Sequence, residues 1–234
     1  KWLKFALWMR SASGAVFLFA CLGAGGIPGL HWIHHPMWGL VALFIGVALN
    51  LFLAIIGGRQ IFASLHVLLG LIALTVAPQN ETTIIISTVI TVFGVALTFR
   101  QKWDYHLLLT ISSFFAYHVF WYFKMGGKDT LTVNQNILGI IIVVVVSVLA
   151  ACVHHRKLYG SKQFDRVPFI VHLVNWAYFG LGLIMHVSES KWKTIPLFAG
   201  AAVAFILANY ARTLKIRWLH CTDTLIAQII TTIG

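Results

Sequence analysis

The chain has 234 residues, of which 59% are hydrophobic and only 10% charged, at a mean hydropathy of +0.87. An ordinary soluble domain carries about 25% charged residues, and a folded chain of this length cannot keep so much apolar surface from water. This argues against a soluble globular protein and for one whose outer face is solvated by lipid. The net charge of +11 is spread over many loops rather than gathered on one face, so nucleic acid is not an expected partner.

Apolar runs of about 17 residues or more, the length that crosses ~30 Å of hydrocarbon, predict eight spans. They fall at roughly 11–30, 37–56, 61–77, 83–99, 105–123, 137–153, 167–187 and 195–211. A ninth run opens at Thr222 and reaches Gly234, too short to cross as it stands. The expected fold class is therefore all-α: a polytopic transmembrane helix bundle of eight full spans plus a partial ninth. Residues 1–234 form one transmembrane domain. Lys1 in place of Met and the short ninth run read as part of a longer or processed chain.

In chain order, Lys1, Lys4 and Arg10 ahead of AVFLFACLGAGG resemble the basic and apolar regions of a signal peptide. With so many spans following, a retained first span is the preferred reading. The next loop carries HWIHHP, with His31, His34 and His35. That spacing suits a transition metal, but with no acidic partner it reads as interfacial polar residues.

Span five carries His106, Thr110, Ser113 and Tyr117 in steps of four and three, a polar seam on one face. Span six, ILGIIIVVVVSVLAACV, is almost uniformly β-branched and is expected to face lipid over much of its circumference. At its end His154 and His155 adjoin Arg156 and Lys157 and read as an extension of a basic cluster facing anionic lipid.

Span seven contains HLVNWAYFGLGLIMH. At 100° per residue, Pro168, His172, Asn175, Phe179, Gly182 and His186 share an arc of about 80°. Polar groups at membrane depth are costly against lipid and turn to the bundle interior. The expectation is a polar interior seam between spans five and seven made of His106, Thr110, Ser113, Tyr117, His172, Asn175 and His186. It serves either to pack helices by hydrogen bonds or to line a pathway. In span eight Gly200, Ala204 and Ala208 form a small-residue ridge, a packing signal.

The loop charges orient the bundle. Lys1, Lys4, Arg10, Arg59, Arg100, Lys102, Arg156, Lys157, Lys162, Arg166, Arg212, Lys215 and Arg217 fall on one side; Lys124, Lys128, Lys191 and Lys193 fall on the other. Thirteen against four across short loops is the positive-inside asymmetry, with the N-terminus cytoplasmic. Cys21, Cys152 and Cys221 have no metal or disulfide spacing.

All six carboxylates, Glu81, Asp104, Asp129, Asp165, Glu189 and Asp223, read as loop or span-end residues. The sequence has no HExxH, GxSxG or Walker A loop. No residue is assigned a catalytic, cofactor-binding or metal role, and an enzyme is the weaker reading.

The stretches FGVALTFRQKWDYHLLLTISSFFAYHVFWY, HHRKLYGSKQFDRVPFIVHLVNWAYFGLGLIMH and ARTLKIRWLHCTDTLIAQ join apolar spans by basic-Trp turns. Over roughly the last two-thirds of the chain they resemble a large bacterial family of many-pass inner-membrane proteins catalogued as a domain of unknown function. The resemblance implies a bacterial, inner-membrane location and no site residues.

The resulting expectation is a non-enzymatic multi-pass inner-membrane protein, a transport-type or structural subunit without a cofactor. Its partners would be the lipid bilayer, anionic lipids at the cytoplasmic face and other membrane subunits. The alternative is a b-type haem or pigment-binding electron-transfer subunit. Two stacked haems need paired imidazoles at matching depths. Counted at 1.5 Å per residue from the span starts, His118 and His186 differ by roughly 9 Å and His106 and His172 by about 7 Å. His106 and His118 are also rotated by about 120°. The haem reading is accordingly the lesser one, and no Soret band is expected.

Overall fold

A computed structural model describes residues 2–27, 29–30, 32–99, 101–127, 130–158, 163–187 and 194–233. Among the described residues lie nine α-helices and no strand: α1 (Trp2–Gly26), α2 (Pro36–Gly57), α3 (Gln60–Val76), α4 (Glu81–Leu97), α5 (Asp104–Lys124), α6 (Val133–Lys157), α7 (Arg166–His186), α8 (Thr194–Thr213) and α9 (Arg217–Ile233). His31, Asp129, Glu189 and the loop cations Lys1, Arg100, Lys128, Lys162, Lys191 and Lys193 lie outside the described residues.

The helix ends follow from local chemistry. Pro36, whose missing N–H costs nothing in a first turn, opens α2, and Gly58 closes it at φ 57°. Asn80 and Thr83 form a reciprocal capping box on α4, as Thr132 and Gln135 do on α6. Asp165 accepts a hydrogen bond from Val167 N at 3.1 Å, capping α7. Between α8 and α9, Ile216 N donates to Ala211 O (3.1 Å) and Lys215 N to Arg212 O (3.0 Å), a Schellman arrangement with Lys215 at φ 59°. Ile216 then packs with Ala211, Leu158 and Leu219 in a small apolar cluster.

Five helices are long and apolar enough to cross a membrane: Phe5–Gly26, Met37–Gly57, Val133–Arg156, Arg166–His186 and Thr194–Thr213. The apolar α3 and α4 are shorter, at 17 residues each, or about 26 Å of rise. The polarity of the bundle is inverted relative to a soluble protein. Ile45, Phe52, Ile141, Ile184, Phe205 and Ile206 are exposed, whereas nine histidine and asparagine side chains and Asp223 are buried.

The core lies where α5 and α7 meet, around Phe114, Trp121, Tyr178, Phe179 and Leu183. Here α6 narrows the expectation that it faces lipid over much of its circumference. Its Ile142, Val143, Val146, Ser147, Ala150 and Ala151 are buried, and only the opposite side, with Ile137, Ile141 and Val145, is exposed. A uniformly apolar helix reads the same against lipid as against protein, so hydropathy cannot tell its faces apart. The ridge of α8 is buried, and a Cβ on Gly200 would come within 2.1 Å of the Phe179 ring, so α7 presses on it there.

Candidate functional site: two polar clusters on α7

Of the seam residues expected from the sequence, His106, Thr110, Tyr117, His172, Asn175 and His186 are buried and Ser113 is half-buried. They do not form one seam between α5 and α7. His106 bonds Ser64 Oγ of α3 and the Gly94 carbonyl of α4, both at 3.0 Å, and Tyr117 donates to Gln79 Oε1 at 3.0 Å. Thr110 packs beside Gly94. That side of α5 therefore looks at α3 and α4.

The side of α5 that meets α7 is the adjacent one: Phe114 and His118 pack on Tyr178, and Trp121 packs on His186. His118 faces His186 with the two Nε2 atoms 2.8 Å apart. This corrects the depth argument, which separated these rings. His118 Nδ1 lies 3.0 Å from the Tyr178 hydroxyl, and His186 Nδ1 lies 3.3 Å from Asn136 Oδ1 of α6. Gly139 makes room for the ring, because a Cβ there would stand 2.4 Å from His186 Cε1 and Nε2.

Hydrogen-bond capacity fixes the direction of this chain when both rings are neutral. Asn136 Nδ2 donates to the Leu131 carbonyl, so its Oδ1 faces His186 and can only accept. His186 Nδ1 then carries the hydrogen and its Nε2 is bare. His118 Nε2 must donate to it, which leaves His118 Nδ1 to accept from Tyr178. Every link is satisfied without a buried charge, and every hydrogen points from Tyr178 toward Asn136.

The second cluster joins α6, α7 and α9. Asp223 is fully buried, with Oδ2 2.7 Å from His155 Nε2 and Oδ1 3.0 Å from His172 Nε2. The His154 ring stacks on His172 at 5.6 Å. Two expectations are corrected here. His154 and His155 are 2% and 1% exposed rather than turned to lipid headgroups, and Asp223 is an interior carboxylate rather than a span-end one. The signal was present in α9: Leu219, Asp223, Ala227 and Ile230 form its one buried stripe, so Asp223 takes an apolar position.

A proton must lie between His155 and Asp223. His155 Nδ1 donates to the Ala151 carbonyl at 2.7 Å, so a neutral His155 would turn a bare Nε2 toward the carboxylate. Two lone pairs cannot face one another at 2.7 Å, so the pair is either imidazolium and carboxylate or imidazole and carboxylic acid. His172 Nδ1 has no hydrogen-bond partner among the described residues.

A third buried histidine differs from both. His66 bonds Ser11 Oγ at 3.1 Å and Asn50 Oδ1, so both ring nitrogens are taken up in tying α1, α2 and α3 together. His34 and His35 are exposed.

A haem does not fit the paired rings of α5 and α7. Iron between two imidazoles needs their nitrogens about 4 Å apart, twice a metal–imidazole bond of about 2.0 Å, and here they are 2.8 Å apart. The rings of Trp121 and Tyr122 also pack against His186.

Compared with known proteins, the chain matches no family model, no curated protein and no solved structure. Fold and site together define an all-helical protein, apolar outside and polar inside, compatible with a membrane protein.

Proposed function

We propose that the chain is a non-enzymatic, multi-pass protein of a bacterial inner membrane, of the transport or structural-subunit type. It has eight full spans and a partial ninth, with its N-terminus in the cytoplasm. The observation that carries this reading is the inverted polarity, because exposed Ile184 and Ile206 surround an interior that holds Asp223 and the histidines. Lipid solvates the first and excludes the second. Thirteen of the seventeen Lys and Arg on one side support the orientation. The exposed Arg156, Arg166, Arg212 and Arg217 suit anionic lipid at that face.

Single cysteines test the topology in a chain lacking Cys21, Cys152 and Cys221. A cysteine at the exposed Asn134 should react with a membrane-impermeant thiol reagent added to intact cells, and one at the exposed Gln163 should not. Labelling at Gln163 overturns the orientation. The haem alternative is tested by colour: a Soret band in purified protein that disappears in His118→Ala would replace this reading with an electron carrier.

A further inference from the structure

We propose that the species handled by this interior is the proton, and that α7 carries a path for it between the Asp223 cluster and Asn136. The inference rests on the membrane-spanning reading above. Three observations on one helix support it.

The first is the proton shared by His155 and Asp223, both of them buried. The second is His172 Nδ1, a buried imidazole nitrogen without a partner on the ring that touches the other oxygen of the same carboxylate. This gives the cluster a place for one more proton. The groups around it are His154 and His155 from α6 and Asp223 from α9.

The third is the directed chain Tyr178, His118, His186 and Asn136, which ends on a half-buried amide. Between the two clusters lie Asn175 and Ser147. Asn175 Nδ2 donates to the Ser147 carbonyl at 3.0 Å, while Asn175 Oδ1 and Ser147 Oγ are buried without partners. A buried acceptor beside a buried hydroxyl, one helical turn from His172 and one from Tyr178, is the polar set that a relaying water needs.

The transfer balances without electrons moving. A proton binds His172 Nδ1. At the far end His186 releases its Nδ1 proton past Asn136, His118 passes its Nε2 proton to His186 Nε2, and Tyr178 passes its hydroxyl proton to His118 Nδ1. The proton from the Asp223 cluster, relayed past Asn175, restores Tyr178. One proton enters, one leaves, and only N–H and O–H bonds form and break. Turning the Asn136 amide accommodates the opposite polarity of the chain. A set of packing bonds alone would resemble His66, saturated and isolated, rather than two titratable clusters in line on one helix.

The test uses the full chain, purified and reconstituted in vesicles that enclose a pH-sensitive dye, with a potassium diffusion potential as the driving force. Flotation first establishes insertion, and failure to float would remove the membrane reading itself. Floated wild-type protein should pass protons well above protein-free vesicles. Asp223→Asn and His118→Gln should each reduce the flux to that background, whereas His66→Gln should retain it. Where either variant elutes as aggregate, His172→Gln or Tyr178→Phe takes its place. No flux from floated wild type, or unchanged flux in a variant that elutes normally, overturns the proposal.

Discussion

Asp223 and His155 are 68 residues apart in the chain and 2.7 Å apart in the fold, joined across α9 and α6 by a hydrogen bond that must contain a proton. Removing the carboxylate leaves two buried imidazoles without it. Breaking a buried pair of this kind costs about 3–5 kcal/mol. Asp223→Ala is therefore expected to lower the thermal midpoint of the detergent-solubilised protein strongly. Asp223→Asn should cost far less, because its Nδ2 donates to the bare His155 Nε2 and its Oδ1 stays beside His172 Nε2. Equal destabilisation by the two would mean that the side chain is held for its charge rather than for its hydrogen bonds.

The Tyr178 hydroxyl serves one end of the histidine chain. Tyr178→Phe leaves His118 Nδ1 as a buried, unpaired acceptor, at about 1–3 kcal/mol. Because the two side chains touch, adding His118→Phe should cost less than the sum of the separate losses, by roughly 0.5–3 kcal/mol. Stability of the four members of this cycle, measured in one detergent, decides it; additive losses would show that the contact carries no energy.

Gly139 and Gly180 give opposite expectations for one added methyl. A Cβ on Gly139 meets the His186 ring at 2.4 Å, and one on Gly180 meets nothing within 4 Å. Gly180→Ala should be neutral or stabilise by up to about 1 kcal/mol through helix propensity. Gly139→Ala should destabilise and displace the His186 ring, read as a shift of its side-chain resonances. Tolerance of both would place the α6–α7 contact elsewhere.

Lys215 occupies a left-handed conformation that costs an L side chain roughly 1–2 kcal/mol. Lys215→Gly relieves this in the Schellman turn and should raise stability by about 1 kcal/mol. A lower midpoint would show that the lysine makes a compensating contact.

The helices were legible in the sequence because apolar runs of spanning length have few alternatives. The buried side of α7 was legible too, since His172, Asn175 and His186 recur at helical spacing and are all buried. Their partners were not. Periodicity placed His106, Thr110 and Tyr117 on one face of α5 but could not say which neighbour that face meets, and it meets α3 and α4. His118 belongs to the adjoining apolar face, and a depth count from the span starts separates it from His186. That count assumed helices starting at one level and crossing without tilt, which packing through α6 does not require. Asp223 is hard to read from the sequence because a charge near an apolar run looks like its boundary, although the helix begins at Arg217.

The reach of Asp223 has a consequence for biogenesis. Translation proceeds from the N-terminus and delivers α6 and α7 well before the carboxylate that completes their cluster. A nascent chain that has inserted α6 and α7 therefore carries three neighbouring imidazoles awaiting a counter-charge, and arrival of α9 closes the set. In this way α9 works as a latch on the helices made before it. Nascent chains arrested before residue 223 should stay sensitive to protease between α6 and α7, and chains extended past it should become resistant.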